Sequence, residues 1–249
     1  MQFLDQSLTV IVPTLWKVDS FPKSIIALAE NKVVSHIIVI DNNPARSVPL
    51  PHPKIKVLSK GFNIYVNPAW NLGVANTTSR YACLLNDDID ATEELLEYAV
   101  SILNNEESVG LIGMGWASKE KVLRHRTVEQ RENAFGAAMF FRTKEYYPIP
   151  NQLKIWCGDD YLMLRFQLQG KQIVEISGFG HVESIQFSKT VNSDKEGYKP
   201  ILKRDLKLWH SLYERLLLVR YRPIRTIFGG MRAKIIRIFF SGLINRQKR

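Results

Sequence analysis

Two short apolar runs in this chain stop abruptly at acid. His36-Ile-Ile-Val-Ile40 ends at Asp41-Asn-Asn-Pro44, and Tyr81-Ala-Cys-Leu-Leu85 ends at Asn86-Asp87-Asp88. Runs of this length, rich in β-branched residues and closed by turn-forming Asx and Pro, read as strands buried on both faces. Residues 8–13 (LTVIVP) form a third such run, ended by Pro13, and residues 55–58 (IKVL) a shorter one. Helical signals fall between them. Asp19 or Ser20 caps a helix with Pro22 in its first turn, and Ile25, Ile26, Leu28 and Ala29 give its buried stripe. A second helix opens near Pro68. A third follows Thr92, a cap with Glu93 and Glu94 behind it. Strand, helix, strand, strand, helix, strand, helix at this spacing predicts an α/β fold around a mainly parallel sheet with flanking helices. Ligands in such sheets sit beyond the carboxyl ends of the strands. Asp41 and the Asn86-Asp87-Asp88 cluster are therefore expected to converge on one crevice.

The second half is less regular. Residues 110–114 (GLIGM) and 172–176 (QIVEI) read as strands. Residues 134–141 are small and apolar and end at Arg142. Gly158-Asp-Asp-Tyr-Leu-Met-Leu-Arg165 opens a helix with two acids in its first turn, and Gly178-Phe-Gly-His181 follows a strand. Residues 191–200 are polar and read as a linker.

Charge separates the chain into two parts. The whole carries 34 Lys+Arg against 24 Asp+Glu, a net +10. Ten of the cations, Arg215, Arg220, Arg222, Arg225, Arg232, Lys234, Arg237, Arg246, Lys248 and Arg249, lie in 215–249, which holds no acid. Residues 1–214 then balance at 24 of each sign. A nucleic-acid binder spreads its cations over a face of the fold, so no nucleic-acid partner is expected. In the tail, Ile224, Ile227, Phe228, Met231, Ile235, Ile238, Phe239 and Leu243 fall on one helical face, flanked by Arg225, Arg232, Lys234 and Arg237. Such a helix suits an anionic membrane surface, each cation adding roughly 1 kcal/mol. The alternative is a helix packed on protein. Two cysteines, Cys83 and Cys157, give neither a disulfide framework nor a metal spacing. With no signal peptide and no spanning run, a cytoplasmic protein on the inner face of the membrane is expected. The division expected is 1–190 for a catalytic domain and 191–249 for linker and tail.

In order and spacing these segments resemble the inverting family 2 glycosyltransferases of the GT-A fold. Residues 9–14 (TVIVPT) resemble that family's first strand, and Asp41 stands where it has an acid after the second. Asn63 and Asn71, with Gly73 following, are similar to its Asn…Asn-x-Gly pattern. Leu84-Leu-Asn-Asp-Asp88 resembles its metal-binding Asp-x-Asp segment, with Asn86 in place of the first acid. Residues 136–142 (GAAMFFR) resemble its acceptor-side strand, and residues 158–165 its Glu-Asp helix. The resemblance covers roughly residues 7–190.

It implies a nucleotide-sugar donor, a glycan or lipid-linked glycan acceptor, and Mn2+ or Mg2+ as cofactor. A hard cation neutralises the departing diphosphate and needs few carboxylates. Asp88 is then the metal ligand, with Asp87 on the ribose or a metal-bound water and His181 as a further ligand or diphosphate contact. Without the resemblance, residues 86–88 read equally as an Asx turn, and His181 as a surface residue. A carboxylate of the Asp159–Asp160 pair takes the acceptor proton as general base. Aligning on Arg165 makes that Asp159, and aligning the acidic pair makes it Asp160, the preferred reading. The plain alternative is two acids favouring a helix N-terminus. Pro13, Thr14, Asp41, Asn63 and Asn71 are expected around the donor, the two asparagines shaping loop and helix. Arg80 and Arg142 are candidate diphosphate contacts or solvated cations. Two rivals are weaker. A nucleotidyltransferase needs a Gly-rich loop where this chain has residues 13–17 (PTLWK). A non-catalytic membrane adaptor needs no acidic crevice.

Overall fold

The computed structural model describes residues 7–115, 122–131, 134–178 and 197–220, with the backbone alone for 218–220. The first half alternates as the pattern requires. Strands β1 (Leu8–Thr14), β2 (Val34–Asp41), β3 (Ile55–Ser59) and β4 (Tyr81–Leu85) alternate with helices α1 (Phe21–Ala29) and α2 (Val66–Ala75). Helix α3 (Glu93–Asn105) follows. Every residue of β1 and β4 is buried, as two-sided strands demand. Thr92 caps α3, its hydroxyl accepting from the Leu95 N–H at 3.3 Å. Ser20 is the N-cap of α1 but makes no side-chain cap bond. Helix α2 starts two residues before Pro68, after Tyr65 in the left-handed region at φ 70°.

The second half adds β5 (Val109–Met114), β6 (Arg124–Thr127), β7 (Ala138–Arg142), α4 (Gly158–Leu168) and β8 (Gln172–Ser177). The strands form one sheet in the order β3-β2-β1-β4-β7-β5-β8-β6. β3, β2, β1 and β4 pair in parallel, as do β5 and β8, while β7 runs antiparallel between β4 and β5 and β6 antiparallel on β8. The sheet is thus mainly parallel, with two strands reversed. The sequence pattern missed β6, because all four of its residues are exposed and it shows no apolar alternation.

One face of the sheet, with Val10, Val12, Cys83, Leu85 and Phe140, packs on α1 and α3 through Phe21, Ile25, Leu28, Leu95, Leu96 and Val100. Each such side chain contributes roughly 1.5–3 kcal/mol on burial. The other face carries α2 and α4. Helix α2 lies so close on β1 that a Cβ at Gly73 would stand 2.1 Å from Ile11 Cγ2. The glycine that follows Asn71 is there for this packing.

Helix α5 (Tyr198–Arg220) begins inside the stretch read as linker. Pro200 sits in its first turn, where a missing N–H costs nothing. The chain divides into two compact units, Met1–Leu208 and Trp209–Arg249. Of the second, the end of α5 is described, with the Trp209 and Tyr213 rings 5.5 Å apart. The amphipathic stretch from Ile224 lies outside the described residues. Among the described residues no helix is long and apolar enough to cross a membrane.

Candidate active site

Parallel pairing brings the ends of β1, β2 and β4 to one edge. Thr14 is opposite Asp41 in the register, and Leu8–Ile11 of β1 runs alongside Tyr81–Leu84 of β4. Two hydrogen bonds tie these ends together, and a third closes the turn after β2. The Thr14 hydroxyl donates to Asp87 Oδ2 at 2.7 Å. The Trp16 indole donates to Asp41 Oδ1 at 2.8 Å, and the Asn43 N–H reaches the same oxygen at 2.9 Å. Asp41 is 3% exposed, so its carboxylate is held rather than solvated. Pro13, also buried, completes the end of β1.

Asn63 joins this group through the backbone. Its Oδ1 accepts from the Tyr65 N–H at 2.8 Å, and the Ile64 N–H donates to Asn42 Oδ1 at 3.1 Å, beside Asp41. Asn71 does not join it. The Asn71 amide donates to the Ile149 carbonyl at 2.7 Å, and its Oδ1 accepts from the Tyr146 hydroxyl and the Ile149 N–H. Asn71 fastens α2 to residues 146–151.

The acids after β4 lie in a turn, closed by the Ile89 N–H donating to the Asn86 carbonyl at 3.4 Å. Burial pushes the Asp87 carboxyl up to about 6; the Thr14 hydroxyl pulls it down and Asp88 pushes it further up. A carboxylate held this way gains from a nearby cation. Two adjacent carboxylates with phosphate and water suffice for Mg2+ or Mn2+, so Asp87 and Asp88 fit a divalent ion. Among the described residues no three His, Cys, Asp or Glu side chains cluster as a preformed cage. His181 lies outside the described residues.

The reversal of β7 carries a second group of residues to the same edge. Leu85 at the end of β4 pairs with Ala138 at the start of β7, and the Asn86 N–H donates to the Ala137 carbonyl at 3.0 Å. The turn at Phe135–Ala137 therefore lies beside residues 86–88. On its far side it meets the head of α4: a Cβ on Gly136 would stand 2.8 Å from Asp159 Oδ2. The donor-side acids and the Asp159–Asp160 pair are thus separated by the Gly136–Ala137 backbone. Asp159 Oδ1 accepts from the Asp160 N–H at 3.0 Å. Burial and the neighbouring Asp160 charge raise the Asp159 carboxyl, and Arg131 opposes them.

The same reversal corrects the reading of Arg80 and Arg142. Arg142 pairs with Tyr81 at the start of β4, so both arginines lie at the opposite edge from Asp87. The Arg142 guanidinium donates to the Val109 carbonyl at 2.6 Å, to Glu106 at 3.0 Å and to Leu103, closing the C-terminus of α3. Arg80 lies over the Tyr81 ring at 5.2 Å. Both thus lie away from the strand ends that carry Asp41 and Asp87.

Sequence reasoning missed Arg131, Asn67 and Asp205. Arg131 donates to Asp160 at 2.6 Å across 29 positions. Asn67 is fully buried, donating to the Trp156 carbonyl at 3.2 Å just ahead of α4. Asp205 of α5 accepts from the Lys154, Ile155 and Trp156 N–H groups at 3.0, 2.9 and 3.2 Å. Together they set the entry to α4. Only a buried position would have distinguished the last two, and local pattern does not reveal it.

No family model matches the sequence, and no curated protein does. Solved structures match in three dimensions. S. aureus TarS 1–349 is 14% identical with a TM-score of 0.52, over 71% of this chain and 59% of that one. The same fragment in complex with UDP-GlcNAc is 13% identical with a TM-score of 0.54, over 71% and 57%. The mannosyltransferase PcManGT from Pyrobaculum calidifontis, in complex with GDP-Man and Mn2+, is 15% identical with a TM-score of 0.55, over 95% and 79%. The chain therefore spans under two thirds of the TarS fragment and most of PcManGT. At such identities the likeness is one of architecture: the chain has the GT-A-like α/β fold of these structures.

Proposed function

We propose that this chain is a nucleotide-sugar-dependent glycosyltransferase acting by single displacement with inversion at the anomeric carbon. The observation that carries this reading is the convergence at one sheet edge of two acidic groups. Asp41 ends β2, Asp87 and Asp88 follow β4, and Asp159–Asp160 stand at the head of α4, with the Gly136–Ala137 backbone between them. Pro13, Thr14, Asp41 and Asp87 line the donor side, with Asn63 shaping the loop beside it. Asp88 would hold Mn2+ or Mg2+, with Asp87 on the ribose or a metal-bound water and His181 as a further ligand or diphosphate contact, and the ion would neutralise the donor's diphosphate. A carboxylate of the Asp159–Asp160 pair accepts the proton of the incoming acceptor hydroxyl. The matched fold is consistent with this: TarS 1–349 was solved with UDP-GlcNAc, and PcManGT with GDP-Man and Mn2+. The acceptor is a glycan or lipid-linked glycan, which the basic tail from Arg215 brings within reach at the inner face of the membrane. Residues 1–190 are the catalytic domain in this reading.

The test is thermal stability against a panel of UDP, GDP and other nucleotide sugars, with and without Mn2+. Binding to the native state at 100 times Kd adds about 2.7 kcal/mol. A shift for one diphosphate nucleotide, only with metal and lost in Asp88→Ala while the variant stays folded, is the expected result. No shift across the panel for a folded protein overturns the reading.

A further inference from the structure

Arg131 straddles the two carboxylates at the head of α4. Its Nε donates to Asp160 Oδ1 at 2.6 Å and its Nη2 to Asp160 Oδ2 at 3.3 Å, while Nε stands 3.4 Å from Asp159 Oδ2. The residue belongs to the segment after β6, a different element from the pair it serves. We infer that Arg131 is a positioning residue for the general base, pinning Asp159 and Asp160 side by side and setting one positive charge against both carboxyl groups. The inference rests on the glycosyl-transfer reading above.

The geometry demands such a cation. Two neighbouring carboxylates repel, and without compensation one of them takes up a proton. A protonated acid cannot accept the acceptor's proton. Few other charges face the pair among the described residues. The Cys157 thiol sits at the N-cap of α4, where burial, reinforced by the two aspartates, pushes it up to about 12. Asp205 of α5 is nearby but bonded to the amides of 154–156, with Arg204 on its other oxygen. Gly136 brings only backbone. Within that group Arg131 alone supplies positive charge against the pair. Burial works against the charge of Arg131, yet the two aspartates hold it more firmly protonated than a free arginine. The fork matters as well as the charge. A planar guanidinium can bond one carboxylate with two N–H groups and still face the second, whereas an ammonium is a point donor. Asp159 and Asp160 are 18% and 25% exposed at the side chain, so solvent does not replace this partner.

The experiment measures kcat and KM for donor and acceptor from pH 6 to 9.5 in wild type, Arg131→Gln and Arg131→Lys, with donor-induced thermal shifts alongside. The expected result for Arg131→Gln is an acidic limb moved upward by a unit or more. At pH values below the limb its kcat falls about tenfold per unit of that movement and it recovers above the limb, with donor KM unchanged. Arg131→Lys moves the limb less, in the same direction, and carries the test if the glutamine variant does not fold. A loss of kcat that is equal at every pH, a raised KM with an unmoved limb, or higher activity in Arg131→Gln each overturns the inference. Wild type that neither binds a nucleotide sugar nor transfers from one overturns the glycosyl-transfer reading instead.

Discussion

The Thr14 hydroxyl donates to Asp87 Oδ2 at 2.7 Å, joining the end of β1 to the turn after β4. This bond and burial act on Asp87 in opposite directions, and burial wins, leaving the carboxyl at about 6. The raised value is a statement about stability. The folded state holds a proton that the unfolded chain, with an ordinary carboxyl near 3.9, has released. Stability from this group is therefore present in acid and is lost as pH rises from about 4 to above 6. The cost at pH 8 is about 3 kcal/mol, from two pK units at 1.36 kcal/mol each. In metal-free buffer Asp87→Asn is expected to be more stable than wild type at pH 8 and equal to it near pH 3, below the unfolded carboxyl value, by urea denaturation. The same variant loses metal-dependent donor binding. Equal stability at both pH values would show that the buried charge costs nothing.

Gly136 is confined by Asp159. A methyl group there would stand 2.8 Å from Asp159 Oδ2, closer than a Cβ and an oxygen can sit. Gly136→Ala must move the carboxylate or the turn carrying it. Since the turn also bonds residue 86, the carboxylate yields first. The expected outcome is a kcat reduced about ten- to a hundredfold, a loss of about 1.4–2.7 kcal/mol of transition-state stabilisation, with donor KM little changed. Steady-state kinetics with donor and acceptor varied separately reads this split.

Arg142 separates a structural guanidinium from a substrate-binding one. It satisfies the carbonyls of Leu103 and Glu106 at the end of α3, orphans of a helix terminus, and that of Val109 at the start of β5. Arg142→Met keeps the aliphatic stem and removes the donors, at an expected cost of about 2–3 kcal/mol. Donor KM is expected to stay at the wild-type value, because the residue lies at the far edge of the sheet from Asp87. A large rise in donor KM without a change in the urea midpoint is the result that contradicts this.

Much of this was legible in the sequence because β1, β2 and β4 are buried on both faces and end at residues that cannot continue a strand. Asp41, Asp87 and Asp88 follow from that pattern together with parallel pairing. What could not be read was direction. Nothing in Ala-Met-Phe-Phe-Arg says that β7 runs opposite to its neighbours, and that reversal brings Gly136 to the site while removing Arg142 from it. Asn71 matched a spacing, yet its amide serves residues 146–151. Arg131 and Asp160 lie 29 positions apart with no local period connecting them, so only the fold pairs them. Asp205, in Lys-Arg-Asp-Leu-Lys, looks like any polar helix residue.

Asp205 gives the most direct test of how the site is held. Its side chain is fully buried, and one oxygen accepts three consecutive backbone N–H groups at 154–156 while the other takes Arg204. Those amides lead straight into Cys157, the left-handed N-cap of α4 at φ 62°, and then into Asp159 and Asp160. Asp205→Ala leaves three donors without an acceptor, at an expected cost of about 3–5 kcal/mol. Asp205→Asn retains one acceptor oxygen and is expected to lose roughly half as much. Because the turn positions the acidic pair and not the donor-side acids, the asparagine variant is expected to bind nucleotide sugar normally while its kcat falls. Calorimetric donor titration beside single-turnover transfer distinguishes the two effects: donor binding lost in step with kcat would mean that Asp205 supports the whole fold rather than the head of α4.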